Sequence, residues 1–333
     1  MKHFVKLTGI ALSAALAFGA AADAKELRLG TITPDKTIWA KQARGFVAKV
    51  EELSGGDLTI SYFGNAELGT MADTMKMTLT GRLDMWLGAV PALGAVAPEM
   101  SLLSLPYLFD SPTQAGCAVA KIMEPTRAAI GKKFHLLGFS AVGTQSIGAK
   151  EEIRTPSDLS NIKMRTAPLK TTMTFFGSVG ANPVPLAAAE STAALGTGLV
   201  DAVDFAPTFY VATGVNKTAT FFTPTRHTYN LGGLAVSTKT WASLSEAEQK
   251  ILSDAWAAAM PLAEVVAQVD GFEAKMLGAH KKSGGTVVEL SDEEIALWKA
   301  AGLASWEKIL PEMRGDATGY LAAIQSAKEG CAP

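Results

Sequence analysis

The chain has 333 residues, with 30 Lys and Arg against 32 Asp and Glu, a formal charge of −2, and 48 % hydrophobic residues. No block of Lys and Arg breaks this balance, which excludes nucleic acid and anionic membrane surfaces as expected partners. Its four His and two Cys follow no zinc, redox, HExxH, GxSxG or Walker spacing, so no metal, no cofactor and no enzymatic constellation is expected.

The first element in chain order is a leader. Lys2 and Lys6 precede an apolar run from Leu7 to Phe18, and Ala22-Asp23-Ala24 fits an A-x-A cleavage site. The run is well short of the roughly 20 residues of a bilayer span. Residues 1–24 are therefore read as a secretory signal peptide, and the mature chain as a soluble periplasmic protein. Gly88 to Phe109 is also apolar, but Pro91, Pro98, Glu99 and Pro106 interrupt it. The remaining chain of about 310 residues is long enough for two lobes with separate cores.

Leu27 to Ile32 alternates like a strand. Trp39, Ala43, Phe46, Val47, Val50 and Leu53 then recur at helical spacing until Gly55-Gly56. Leu58 to Phe63 reads as a strand, Met71 to Leu79 as a helix, and Leu83 to Val90 as a strand. The rhythm resumes after His135 to Phe139. Ile162 to Arg165 is a strand and Thr171 to Val179 a helix. Val184 lies in a short strand, Ala187 to Leu195 is a helix, and Val200 to Phe205 is a strand. This βαβ alternation predicts largely parallel sheets with helices on both faces. Leu234 to Ser237 reads as a strand returning to the first lobe. Ser245 with Glu248 and Ser291 with Glu294 form capping boxes. Between them, Ser245 to Lys282 predicts a helix of about 57 Å if straight. Pro261 either kinks it or divides it into two helices. Cys117 and Cys331 enter an oxidising compartment, where a disulfide tying the C-terminal tail to the helix around Cys117 is the preferred reading. Two unpaired thiols are the alternative.

Four strands end in a small or polar residue followed by proline: Thr33-Pro34, Val90-Pro91, Ala167-Pro168 and Ala206-Pro207. Ligands of open parallel sheets bind outside the carboxyl ends of strands. Two such sheets facing each other would gather Thr33, Asp35, Trp86, Arg165, Asp204 and Phe205 around one cleft. Arg165 is the fixed positive charge among them, and its planar fork of donors matches a carboxylate or sulfonate bidentately.

The segments Asn65-Ala66-Glu67-Leu68-Gly69, Gly81-Arg82-Leu83-Asp84-Met85 and Leu105-Pro106-Tyr107-Leu108-Phe109 carry a family resemblance. Ile162-Lys163-Met164-Arg165, Gly180-Ala181-Asn182-Pro183-Val184-Pro185 and Gly198-Leu199-Val200-Asp201 extend it over nearly the whole mature chain. In order and spacing they resemble the solute-binding proteins of tripartite ATP-independent periplasmic (TRAP) transporters, the DctP family. The resemblance implies a two-lobed α/β periplasmic-binding-protein fold, a Venus flytrap with a long helix spanning both lobes. Residues 25–142 with 231–270 would form lobe I, and residues 143–230 with 271–333 lobe II. It also implies closure on a small organic anion, hand-over to TRAP membrane permease subunits, and no catalysis. Arg165 falls on the arginine that salt-bridges the ligand carboxylate in this family.

The chain departs from the family in places. Many sugar-acid members carry a second arginine where Gln145 stands, in Gly143-Thr144-Gln145. That form resembles an oxo-acid-binding branch in which the glutamine also helps hold a cation. The branch has Glu-Trp where this chain has Asp204-Phe205, and its further carboxylate would fall near Thr228, so no cation is expected here. Gln145 and Asp204 are read as hydrogen-bonding groups for the ligand. Phe205, Trp39 and Trp86 are read as apolar walls or as ordinary core. His227, Tyr229 and Asn230 lie near the return to the first lobe, with Arg226 as a second anion contact. A periplasmic enzyme and a ligand-sensing subunit of a membrane receptor are the alternatives from other classes.

Overall fold

The computed structural model describes residues 24–332, and the expected signal peptide lies outside them apart from Ala24. In the first lobe, β1 (Lys25–Thr31), β2 (Leu58–Phe63) and β3 (Met85–Ala89) are parallel, in the order β2-β1-β3. The alternating Leu27, Leu29, Leu58 and Ile60 share a core with Trp39, Phe46 and Val50 of α1 (Ile38–Ser54). Thr37 caps the start of α1 by accepting the Ala40 N–H, and Gly55 ends it at a φ of 64°. A Thr70–Asp73 capping box opens α2 (Met71–Leu79). After β3, Pro91 and Pro98 start two short 3-10 helices, Val90–Ala95 and Pro98–Ser104, followed by α3 (Pro112–Lys121) and α4 (Met123–Ile130).

The chain then crosses between the lobes. β4 (Phe134–Ala149) leaves the first lobe and enters the second, which adds β5 (Lys163–Thr166), α5 (Lys170–Ser178), β6 (Asn182–Pro185), α6 (Ser191–Thr197), β7 (Ala202–Phe205) and α7 (Pro207–Ala212). β8 (Phe221–Ser237) returns antiparallel to β4 along nearly its whole length. The sheet order is β2-β1-β3-β8-β4-β7-β5-β6. It is mixed rather than largely parallel, because both crossing strands run against their neighbours β3 and β7. Register shifts at Leu136/Gly138, Ala141/Gly143 and Gln145/Ile147 bend β4 where it passes from lobe to lobe.

Pro261 divides the predicted long element instead of kinking it. α8 (Thr238–Ser243) leads to α9 (Glu246–Ala259), which stops at Met260, and α10 (Leu262–Lys282) starts anew. Met260 has φ −130° and Pro261 ψ 107°, both outside helical geometry. The 21 residues of α10 span about 31 Å. That length packs it on α1 and α3 of the first lobe and on α7 of the second. The chain ends with β9 (Thr286–Val287), which pairs with β8, then α11 (Asp292–Ala304), α12 (Trp306–Ile309) and α13 (Ala317–Glu329).

One apolar cluster runs through both lobes on the α10 side, from Leu29 and Trp39 to Val203 and Phe205. On the opposite side, each lobe has its own cluster. The first lobe's is built on Leu102, Phe134 and Ile324, and the second's on Ile147, Met164, Phe175 and Trp298. Trp298 fixes α11 to the second lobe, donating Nε1–H to the Arg154 carbonyl at 2.7 Å. α13 goes the other way. It packs on α3, Tyr320 bonds Thr126 at 2.7 Å, and a Cys117–Cys331 disulfide closes the tail with Cα atoms 5.9 Å apart. Residues 317–331 therefore pack with the first lobe, whereas the sequence predicts residues 271–333 in the second. Among the described residues, no helix is long and apolar enough to cross a membrane.

Candidate functional site

Strand direction creates the site. β3 runs against β8 and β7 against β4, so β3 and β7 point toward each other's lobe and their carboxyl ends face across a cleft. β5 is parallel to β7, with Arg165 opposite Val203. Alternation sends Met164 and Ala202 into the second lobe's core and leaves Arg165, Val203 and Phe205 on the other face.

Arg165 is 3 % exposed. Its Nε and Nη2 donate to the Leu186 carbonyl at 3.1 and 2.7 Å, and its Nη1 donates to the Asp204 carbonyl at 3.2 Å. The Phe205 ring lies 4.5 Å from the guanidinium carbon. No carboxylate among the described residues forms an ion pair with Arg165. Burial pulls its pKa down to about 10, while the more distant charges of Asp204 and Glu190 oppose the shift. A buried cation held only by carbonyl dipoles and an aromatic face is a ready partner for an anion.

The other predicted residues divide. Phe205 stands with Arg165. Gln145 is half-buried on β4, opposite Thr228 in register. The Asp204 carboxylate turns to the opposite face of the sheet and meets His227 Nε2 at 3.2 Å. His227 Nδ1 meets the Thr225 hydroxyl at 2.8 Å, and Phe175 and Phe176 flank the ring at 5.5 and 5.4 Å. His227 and Asp204 thus form a buried polar pair under the sheet rather than lining the guanidinium.

Thr33 is buried and its hydroxyl bonds that of Thr31 at 2.7 Å. Asp35 is exposed and paired with Arg44, so it points to solvent. Trp39 is core, with its indole N–H on Ser140 Oγ at 3.3 Å. Trp86 is core on the far face, with its N–H on the Met71 carbonyl at 3.3 Å. Neither tryptophan is a cleft wall: α1 turns Trp39 into one core, and alternation along β3 turns Trp86 into the other. Arg226 is exposed, and its charge acts on Tyr229 and Glu273.

Tyr229 and Asn230 line a different hollow of about 300 Å³, counting its solvent-open part, between α10 and the crossing strands. Gly143, Thr144, Asp270 and Glu273 also line it. A smaller recess of about 150 Å³ lies between Leu103, Tyr107, His227 and Tyr229. Arg165 lines neither hollow.

Three positions escape sequence reasoning. Leu186 acts through its carbonyl, which leaves no trace in residue type. Glu273, 6 % exposed, reaches the crossing strand and accepts the Thr144 N–H at 2.9 Å. Tyr107 holds a left-handed φ of 55° while its N–H and hydroxyl bond the His227 and Thr225 carbonyls at 2.7 and 2.8 Å. Its place in Leu105-Pro106-Tyr107-Leu108-Phe109 is the available signal, since an aromatic residue at positive φ is uncommon.

Residues 29–312 match the family described as bacterial extracellular solute-binding protein, family 7. A solute-binding protein of Roseobacter denitrificans is 28 % identical over 266 residues, covering 78 % of this chain and 82 % of its own. The ectoine-binding periplasmic protein TeaA of Halomonas elongata is 27 % identical over 311 residues, covering 86 % of this chain and 87 % of its own. A TRAP periplasmic solute-binding protein from Desulfovibrio desulfuricans, solved with bound sn-glycerol-3-phosphate, superposes with a TM-score of 0.85 at 23 % identity. That match covers 93 % of this chain and 99 % of the other.

Proposed function

The chain belongs to bacterial extracellular solute-binding protein family 7, and from that membership we propose that it captures a small organic anion beside Arg165 and delivers it to a TRAP membrane permease. It is a solute-binding protein and not an enzyme. The leader read in residues 1–24 would carry it to the periplasm. The observation behind the ligand assignment is Arg165 itself: a guanidinium 3 % exposed, without an ion pair among the described residues. An anion arriving there neutralises a charge that is already desolvated, so much of the cost of dehydrating the cation falls on folding rather than on binding.

Closure follows from the same arrangement. Residues 25–142 and 231–270, with the C-terminal helix, act as one lobe, and residues 143–230 with α11 as the other. A ligand touching Arg165 on one lobe and the strand ends of the other makes both sets of contacts only when the lobes meet, and this shifts the population toward the closed form. Gln145 and Phe205 complete the proposed site.

Native mass spectrometry of the purified mature protein, followed by denaturing extraction, should release a small organic acid. Extraction of a neutral or cationic solute instead would contradict the assignment. So would thermal unfolding unmoved by a broad panel of carboxylates and sulfonates.

A further inference from the structure

On the face opposite α10, where each lobe has its own apolar cluster, the segment Ser104–Asp110 reaches from the first lobe to the second. Leu105, Leu108 and Phe109 are buried in the first lobe's cluster, whereas Tyr107, between them, packs against the second lobe's. Tyr107 has a φ of 55°, a strained conformation for a residue with a side chain, which persists where the surroundings hold it. Its ring lies on Gly302 of α11 so closely that a side chain at that position would collide with it. Its N–H and hydroxyl donate to the carbonyls of His227 and Thr225 on β8 at 2.7 and 2.8 Å. The buried hydroxyls of Ser104 and of Thr171 on α5 meet at 2.6 Å. Asp110 pairs with Lys299 of α11 at 3.1 Å, as well as with Lys328 of α13.

The two sides of the junction differ in kind. On the α10 side one apolar cluster runs through both lobes, and Val265, Val266 and Val269 of α10 are buried in it. Parting the lobes there would expose that core to water. On the other side the crossing contacts are three hydrogen bonds, one exposed ion pair and one aromatic ring. Water can replace the polar ones at little net cost. A rotation of one lobe against the other therefore bends the α10 side, where β4 already carries its register shifts, and breaks the contacts of Ser104–Asp110.

We propose that Ser104–Asp110 is a closure latch, made when the lobes meet and broken when they part, and that Tyr107 slows the release of bound solute through it. The latch rests on the two-lobe closure proposed above and not on the charge of the solute. Ser104→Cys with Thr171→Cys tests it, because two hydroxyls in contact stand where a disulfide can form. Peptide mapping should find this cross-link beside an intact Cys117–Cys331 bridge. Small-angle X-ray scattering of the solute-free, cross-linked protein should then give a smaller radius of gyration than solute-free wild type. Equal radii overturn the latch and make the segment a fixed pivot, whichever solute the protein binds. Tyr107→Phe keeps the ring and removes the bond to Thr225. The acid extracted from wild type should leave this variant at least about threefold faster in stopped-flow displacement, with an association rate within about twofold of wild type. An unchanged dissociation rate overturns the role of Tyr107. A wild-type extract free of organic acid removes the anion reading and leaves the scattering comparison to decide the latch.

Discussion

Glu273→Gln should stabilise the protein at alkaline pH and leave its stability unchanged in acid. Glu273 reaches from α10 to the bend of β4, where its Oε1 accepts the Thr144 N–H at 2.9 Å and lies 3.5 Å from the Thr208 hydroxyl. Burial pushes its pKa up from 4.5 to about 8; the bonds from Thr144 and the charge of Arg226 oppose the rise, and Asp270 adds to it. The folded protein therefore holds this proton more tightly than the unfolded chain. Below pH 4.5 both states are protonated and the group is neutral in its effect. Between pH 4.5 and 8 stability falls, and above 8 the loss is complete. At 1.36 kcal/mol per unit the ceiling is about 5 kcal/mol, and water entering from the adjoining hollow should reduce it to roughly 1–3 kcal/mol. Gln keeps an acceptor for Thr144 and carries no charge. Thermal unfolding followed by circular dichroism should show the variant melting a few degrees higher than wild type at pH 9 and alongside it at pH 4. A variant that melts lower at pH 9, or shows the same pH slope as wild type, would refute the reasoning.

Three further outcomes follow from named contacts. Cys331→Ser opens a disulfide that joins residues 214 apart. It should cost about 2–5 kcal/mol, read as a lower melting temperature that reducing agent does not lower further; a melting temperature equal to that of oxidised wild type contradicts this. Gly143→Ala puts a side chain at φ +140°, where its Cβ meets Glu273 and Ala206. A loss of about 1–3 kcal/mol in urea unfolding is expected, and an unchanged midpoint would show that the bend is looser than the contacts imply. Asp35→Asn should alter ligand affinity less than about twofold, because an exposed ion pair contributes little. A tenfold loss in calorimetry would return Asp35 to the site.

The sequence carries the short elements well, because each has a local cause. The Ser245–Glu248 and Ser291–Glu294 boxes start helices where their spacing predicts, and alternation marks β1 and β2. The two crossing strands are legible only in part. Gly138, Gly143 and Gly148 in β4, and Gly232 with Gly233 in β8, dilute the apolar alternation by which a strand is recognised. Their pairing is a long-range event with no local signal. The attachment of the tail to α3 is legible in the pairing of Cys117 with Cys331, which already conflicts with the assignment of residues 271–333 to the second lobe. At the site, Arg165 was visible as a charge at a strand end. The roles of the Leu186 and Asp204 carbonyls, and the turning of the Asp204 carboxylate toward His227, depend on strand pairing and on which face each side chain takes.

Arg165→Lys gives the most direct test, with titration calorimetry of the acid extracted from the wild-type protein. Lys keeps the charge but not the planar pair of donors, so affinity should fall by about 30-fold or more, the lower end of the 2–5 kcal/mol attached to a buried charge-paired contact. A folded Arg165→Lys variant that binds the extracted acid as tightly as wild type would contradict the account, because the ligand would then be held elsewhere.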